Sequence, residues 1–457
     1  MKKLVALLLC LMMVVPATLA SAETAEGKVL NIWCWNDEFQ SRFNAYYPEV
    51  KEIAEDKSTT TLNDGTIVKW TINPNEGNNY QNKLDEALRA QGSAAADDKI
   101  DIFLIEADYA LKYVDSPYTL DVKADIGLTD EDLGGQYKYT QEIATSADGK
   151  LKAVTWQATP GLFAYRRSIA KDVLGTDDPD AVQEALADWD KFNAVAEQAA
   201  AKGYYMLSGY DDAYRTFSNN VSAPWVADDG ETVVVDANLM KWVDQTKLYT
   251  DKGYNHKSSL WDATWAADQG PTGKVFGFFY STWGINFTLL GNSLATPTAE
   301  GGKEEVGNGI YGDYAVCEGP QPYYWGGTWI CGAAGSDNLE TIKDVMLKLT
   351  CDEAIMKQIT MDTQDYTNNE KAMNEIASSD YKSDFLGGQN HIALFAEAAT
   401  KIDMSNAGPY DQGLNESFQN AFKDYFTGNV QEDAAKANFE TAIKEKYPEL
   451  TDVVWPA

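Results

Sequence analysis

The stretch Ile100-Asp101-Ile102-Phe103-Leu104-Ile105-Glu106-Ala107-Asp108-Tyr109 decides the fold. Its apolar run is too short for a helix and reads as a strand buried on both faces. It then stops on two carboxylates and an aromatic ring. In α/β folds ligand crevices open at strand ends. A buried strand that ends on Glu106, Asp108 and Tyr109 therefore predicts a polar, aromatic site at that end of a sheet.

The flanks have the same alternation. Val29-Leu30-Asn31-Ile32-Trp33-Cys34-Trp35 reads as a strand closed by Asn36-Asp37, and a helical stretch with Phe39, Phe43, Tyr46 and Tyr47 follows. Ile67-Val68-Lys69-Trp70-Thr71-Ile72 is a further strand. After the turn Asn73-Pro74-Asn75-Glu76-Gly77, Tyr80, Leu84, Ala87 and Leu88 share one helical face. Strand alternating with helix predicts an α/β layer with a largely parallel sheet. Downstream, a strand at 152–156 runs into Thr159-Pro160-Gly161, and a helix is expected over 181–201, ended by Gly203. Strands follow at 233–235, 274–280, 311–316 and 329–331, with a Gly/Thr/Glu-rich surface loop at 291–309. From about Ile392 the chain reads as nearly all helical, and Asn429 with Glu432 predicts a capping box before the last helix.

Composition narrows the function. The 457 residues are 44% hydrophobic, enough for a sizeable core. With 37 Lys+Arg against 70 Asp+Glu the net charge is −33, which repels phosphate backbones and argues against a nucleic-acid partner. The two histidines, His256 and His391, leave little room for a His-based metal site or a Ser-His-Asp triad. HExxH, GxSxG and GxxxxGK[ST] are absent. Gly307-Asn308-Gly309-Ile310-Tyr311-Gly312 matches GxGxxG in letters but opens no helix, so no dinucleotide cofactor is implied. No cofactor, catalytic residue or metal ligand is assigned.

The N-terminus reads as an export signal. Met1-Lys2-Lys3 precedes the apolar run Leu4 to Val15, and Ala20-Ser21-Ala22 is an A-x-A site, so residues 1–22 are a signal peptide cleaved after Ala22. Leu7-Leu8-Leu9 before Cys10 is a poor lipobox. The expected location is extracytoplasmic. Of Cys34, Cys317, Cys331 and Cys351, the pair Cys317 and Cys331 flanks a loop and is the best disulfide candidate.

Aromatic residues make up 12% of the chain and gather beside polar or Gly/Pro ends of elements. Trp33 and Trp35 precede Asn36-Asp37, Tyr210 precedes Asp211-Asp212, Trp283 follows a strand, and Tyr323-Tyr324-Trp325 leads into Gly326-Gly327; Trp261 and Trp265 belong to the same set. Sugar rings stack their C–H faces on aromatic rings, and their hydroxyls need planar partners such as Asp, Glu, Asn and Arg. Two plainer readings stand beside this one. Rings such as Trp33 and Trp70 fill a core, and adjacent acids in so acidic a chain are solvated. A third reading makes Glu106 with Asp108, or Asp211 with Asp212, the carboxylate pair of a glycoside hydrolase.

The order and spacing of these pieces resemble a family, the extracytoplasmic carbohydrate-binding proteins of ABC import systems related to maltose-binding proteins. The resemblance runs over the whole chain after the signal. It is carried by Leu30-Asn31-Ile32-Trp33, by Asp101 to Tyr109, by Gly149-Lys150-Leu151-Lys152-Ala153-Val154-Thr155-Trp156 with Thr159-Pro160-Gly161, and by Trp189-Asp190-Lys191-Phe192. Gly273-Lys274-Val275 with Trp283, Tyr323-Tyr324-Trp325-Gly326-Gly327 and Gly387-Gly388-Gln389-Asn390 complete it. The resemblance implies a two-lobed α/β periplasmic-binding-protein-like fold (type II), each lobe a mixed sheet flanked by helices. Three hinge crossings would fall near 157–160, 329–332 and 386–391. Residues 28–158 plus 332–388 would form the first lobe and 159–331 plus 389–457 the second. It implies a monomer that captures a small-molecule carbohydrate between the lobes and delivers it to a membrane ABC permease. The ligand-binding set expected on this reading is Trp35, Asn36, Glu106, Asp108 and Tyr109 from the first lobe and Tyr210, Asp211, Arg215, Trp283, Tyr324 and Trp325 from the second. A hydrolase, or a binding protein for a peptide or cationic ligand, remains the alternative.

Overall fold

The computed structural model describes residues 27–456; the signal peptide expected at 1–22 lies outside them. Two sheets organise the molecule. The larger has seven strands, in the spatial order Val50–Ile53, Thr59–Leu62, Ile67–Ile72, Val29–Cys34, Ile102–Glu106, Thr328–Gly332 and Val154–Thr155. Val29–Cys34 runs parallel to both Ile67–Ile72 and Ile102–Glu106, as strand–helix alternation requires. Thr328–Gly332 returns antiparallel to Ile102–Glu106, with Thr328 opposite Glu106. Leu30, Ile32 and Cys34 alternate inward along the first strand, while Ile102 to Ile105 are buried on both faces of the central one.

The second sheet has three antiparallel strands, with Gly161–Arg166 between Gly277–Ser281 and Tyr314–Cys317. Every residue of Gly161–Arg166 is buried. Gly161 is needed there because a Cβ would sit 2.1 Å from Cζ of Tyr323. Two-stranded pairings, Leu207–Gly209 with Asn255–Ser258 and Thr232–Val234 with Asp452–Val454, extend this half. Helices His391–Ala399, Asp411–Phe426 and Glu432–Lys446 supply the helical end of the chain. No helix of the described residues is long and apolar enough to cross a membrane.

The chain passes between the two sheets along three neighbouring segments. Pro160 bridges to Tyr324, the Trp325 N–H donates to the Thr159 carbonyl (3.0 Å), and Gln157 bridges to Thr367. Gln389 holds both backbone groups of Val316 in the three-stranded sheet, while Asn390 donates to Ile376 beside the other. Because Thr328–Gly332 belongs wholly to the seven-stranded sheet, the middle passage lies ahead of Thr328 rather than at 329–332.

Several local expectations are corrected. The helix expected over 181–201 is two helices, Pro179–Ala185 and Trp189–Ala201, because Asp188 turns out of helical geometry and caps the second through the Lys191 N–H (2.8 Å). The last helix starts at Glu432 with Gln431 as its cap; Asn429 instead reaches back to Asp424. Cys317 and Cys331 stand in different sheets, and Cys34, Cys317, Cys331 and Cys351 are all free thiols.

Candidate functional site

Between the sheets lies a cleft of about 890 Å³. The seven-stranded half contributes the end of Val29–Cys34, with Trp35 and Asn36, and the end of Ile102–Glu106, with Glu106, Asp108 and Tyr109. The other half contributes Arg215, Trp261, Trp283, Phe287 and Trp325.

Geometry at the strand end follows from a tight turn. After Glu106 the chain enters a single 3₁₀ turn, and the Glu106 carboxylate accepts the Asp108 N–H at 2.7 Å. This aims the Asp108 side chain across the cleft. Arg215, on helix Tyr214–Ser218, meets it with two parallel hydrogen bonds, Nη1 to Oδ1 at 2.7 Å and Nη2 to Oδ2 at 2.6 Å. Burial pushes the Glu106 carboxyl up to about 8, and the neighbouring Asp108 charge adds to the rise. Burial also works against the Asp108 charge, yet Arg215 holds that carboxyl below its ordinary range. Burial and Arg215 thus push the two carboxyls of one turn in opposite directions.

The aromatic wall is built around Gly326. With φ +75 it takes a left-handed conformation, and a Cβ there would lie 2.9 Å from Nε1 of Trp283. The Trp283 indole N–H donates to the Trp325 carbonyl at 3.0 Å. Trp325 stacks on Tyr280 and receives the Arg215 guanidinium 5.4 Å above its ring. Trp261 lies over Trp283 with planes 12° apart and is 56% exposed. Phe287, 73% exposed, stands edge-on to Trp283 at the rim.

A polar floor faces the wall. Gln157 donates to Glu38 (3.1 Å) and Asp365 (3.0 Å) and accepts from the Thr328 N–H (3.0 Å). Burial and the Asp365 charge raise the Glu38 carboxyl to about 7. Asn286 reaches across the cleft to the Thr363 carbonyl.

Of the residues expected from sequence, Trp35, Asn36, Glu106, Asp108, Tyr109, Arg215, Trp283 and Trp325 line this cleft. Asp211 and Tyr324 do not; they line an adjoining cavity of about 440 Å³ that also touches Asp108, Tyr109 and Arg215. Tyr210 lines neither. Its ring is turned inward and stacks on Phe426 of helix Asp411–Phe426, which removes it from the site. Sequence reading did not assign Gln157, Glu38, Asp365 or Phe287, and Trp261 stood only in the aromatic inventory. Its one local signal is the polar run Ser258-Ser259 before it and Asp262 after it, which caps helix Ala263–Asp268 and leaves the ring outside.

Comparison with known proteins gives the arrangement its context. No curated protein matches the chain. Solved structures do, over nearly all of it. An extracellular solute-binding protein of family 1 is 16% identical, with TM-score 0.70 over 93% of this chain and all of that one. The ABC-transporter-associated binding protein of B. animalis subsp. lactis Bl-04, in complex with β-1,6-galactobiose, is 16% identical, with TM-score 0.66 and coverage of 93% and 100%. The galacto-N-biose/lacto-N-biose I-binding protein of Bifidobacterium longum, in complex with lacto-N-biose, is 13% identical, with TM-score 0.63 and coverage of 94% and 100%. At such identities the likeness is one of fold, the two-lobed α/β architecture. Residues 57–386 match the profile of a family described as bacterial extracellular solute-binding proteins, and to that family this chain belongs.

Proposed function

We propose that the protein captures a neutral oligosaccharide in the cleft and carries it, by closure of the lobes, to a membrane ABC permease. The observation that carries this reading is one wall of Trp261, Trp283, Trp325 and Phe287 facing Asn36, Glu106, Asp108 and Gln157. Apolar stacking faces opposite planar hydrogen-bonding groups complement a sugar ring. The solved relatives in complex with β-1,6-galactobiose and lacto-N-biose support the same ligand class. A ligand touching both halves stabilises the closed form by the contacts it makes only there. On this reading the lobes are 28–158 plus 332–388 and 159–331 plus 389–457, with Thr328 to Cys331 moved to the first. The mature chain begins after Ala22, works outside the cytoplasm as a monomer, and makes no use of nucleic acid.

On this reading the protein is a carrier, and its membership of the solute-binding family supports that over a hydrolase. A carboxylate pair needs one member free to act as base or nucleophile. Asp108, with both oxygens on Arg215, is not such a member.

A thermal-shift screen of residues 23–457 against mono- and oligosaccharides tests the proposal. Stabilisation by one glycan class is the expected result; a ligand at 100 times its Kd adds about 2.7 kcal/mol. No shift with any glycan, or turnover of the glycan on long incubation, sinks it.

A further inference from the structure

The 440 Å³ cavity beside the main cleft has no part in the reading above. The two share Asp108, Tyr109, Arg215, Trp261, Gln412 and Glu416, so the Asp108–Arg215 pair stands in the wall between them. Beyond that wall the lining changes character. Stacked indoles give way to Asp211, Asp411, Asn415 and Gln419 around Tyr214, Trp225 and Tyr324. Its size falls within the range of small-molecule sites.

Three residues that line this chamber each carry a buried side-chain oxygen with no hydrogen-bond partner among the described residues: Tyr109 Oη, Asp211 Oδ1 and Asp411 Oδ1. Tyr109 is only 4% exposed. Orphaned buried polar atoms are rare in folded proteins, and several on residues lining one cavity point to groups that a ligand would satisfy. Burial raises the carboxyls of Asp211 and Asp411, the latter to about 7. Two carboxyls accept or donate and a phenol does both, so the complement is a group with several hydroxyls on one small frame. The floor is already satisfied: Asn415 Oδ1 accepts from both Tyr214 and Trp225.

We infer that this chamber holds the end unit of a linear oligosaccharide whose inner units stack on Trp261 and Trp283, so that the protein selects its ligand by length as well as by sugar type. The inference rests on the sugar reading of the main cleft. Asp108 and Arg215, which hydrogen-bond each other, become the planar partners of hydroxyls at the junction. Trp261, shared by both spaces, faces the unit that spans them.

Titration calorimetry with α-1,4- and β-1,4-linked gluco- and galacto-oligosaccharides of one to six units tests it, on the wild type, Asp411→Asn and Tyr109→Phe. The expected result is a jump in affinity of at least tenfold on adding one particular unit, reduced severalfold in both variants. Tyr109→Phe removes a hydroxyl without a partner in the free protein, so its fold is retained even where Asp411→Asn fails. A jump of wild-type size in both variants overturns the inference. So does affinity that is already maximal for a monosaccharide, or tighter binding of spermidine than of any sugar. No binding by any oligosaccharide of a folded protein overturns the sugar reading itself, and the chamber assignment with it.

Discussion

Trp261 lies parallel to Trp283, ring centroids 6.1 Å apart, and its backbone is held at φ +72. A bulky side chain in the left-handed region costs of order 1–3 kcal/mol and persists where surrounding structure enforces it. Here the result is an indole presented to the cleft rather than to the core. Trp261→Gly relieves the strain and Trp261→Ala does not. Trp261→Gly is therefore expected to be more stable than Trp261→Ala by about 1 kcal/mol in chemical denaturation, while both lose glycan affinity. Equal stabilities would show that the backbone carries no strain.

On the proposed reading Trp283, which lines the cleft, is the inner platform. Trp283→Ala is expected to weaken glycan binding by about 2–4 kcal/mol, as loss of a buried aromatic anchor does, and titration calorimetry reads the change directly. Unchanged affinity would remove Trp283 from the site.

Gly326→Ala sets a Cβ 2.9 Å from the Trp283 indole nitrogen and strains a φ of +75. The indole N–H to the Trp325 carbonyl is then broken or bent. At least a tenfold loss of glycan affinity is expected, with red-shifted tryptophan emission as the ring moves. Wild-type affinity and emission together would show that the platform does not depend on this glycine.

Asp108 and Arg215 join the two halves of the molecule. Arg215→Ala leaves Asp108 without its partner and removes the bidentate link. The radius of gyration of the ligand-free variant, measured by small-angle scattering, is expected to exceed that of the wild type. An identical scattering curve would mean that other contacts, such as Asn286 to Thr363, hold the halves together.

Stability should peak on the acid side of neutrality. Burial raises Glu106 to about 8 and Glu38, Asp212 and Asp411 to about 7. A carboxyl whose folded pKa exceeds its unfolded one contributes stability that is full below the unfolded value and lost as pH rises through the folded one. His391, lowered by burial to about 4, acts at the other end: the unfolded chain gains protons first as pH falls from about 6.5. Melting temperature is expected to peak near about pH 4–5 and to fall as pH rises toward 8, with a shallower basic limb in Glu106→Gln. A peak above pH 7 contradicts this.

Much of this was legible where chemistry and local pattern coincide. Ile102–Glu106 shows its burial in an unbroken apolar run and its site in the acids that end it. Trp283 and Trp325 announce themselves by following or preceding Gly and polar residues. The rest depends on what comes from elsewhere in the chain. Tyr210 has the same local signature as the true lining residues, yet Phe426, more than 200 positions later, captures its ring. Asp411 and Glu416 reach the site only because a C-terminal helix packs there. Trp261 owes its exposure to a backbone angle that side-chain identity does not encode.

Trp325, Gly326, Gly327 and Thr328 are at once a stacking surface, the passage between the sheets and the partner strand of Glu106. On the proposed reading, a substitution in these four residues retunes ligand contact and lobe movement together. Variation in ligand preference falls, on the same reading, on the more exposed rim, Trp261 and Phe287. The part of the site proposed to choose the ligand is thus separate from the joint that would signal its capture.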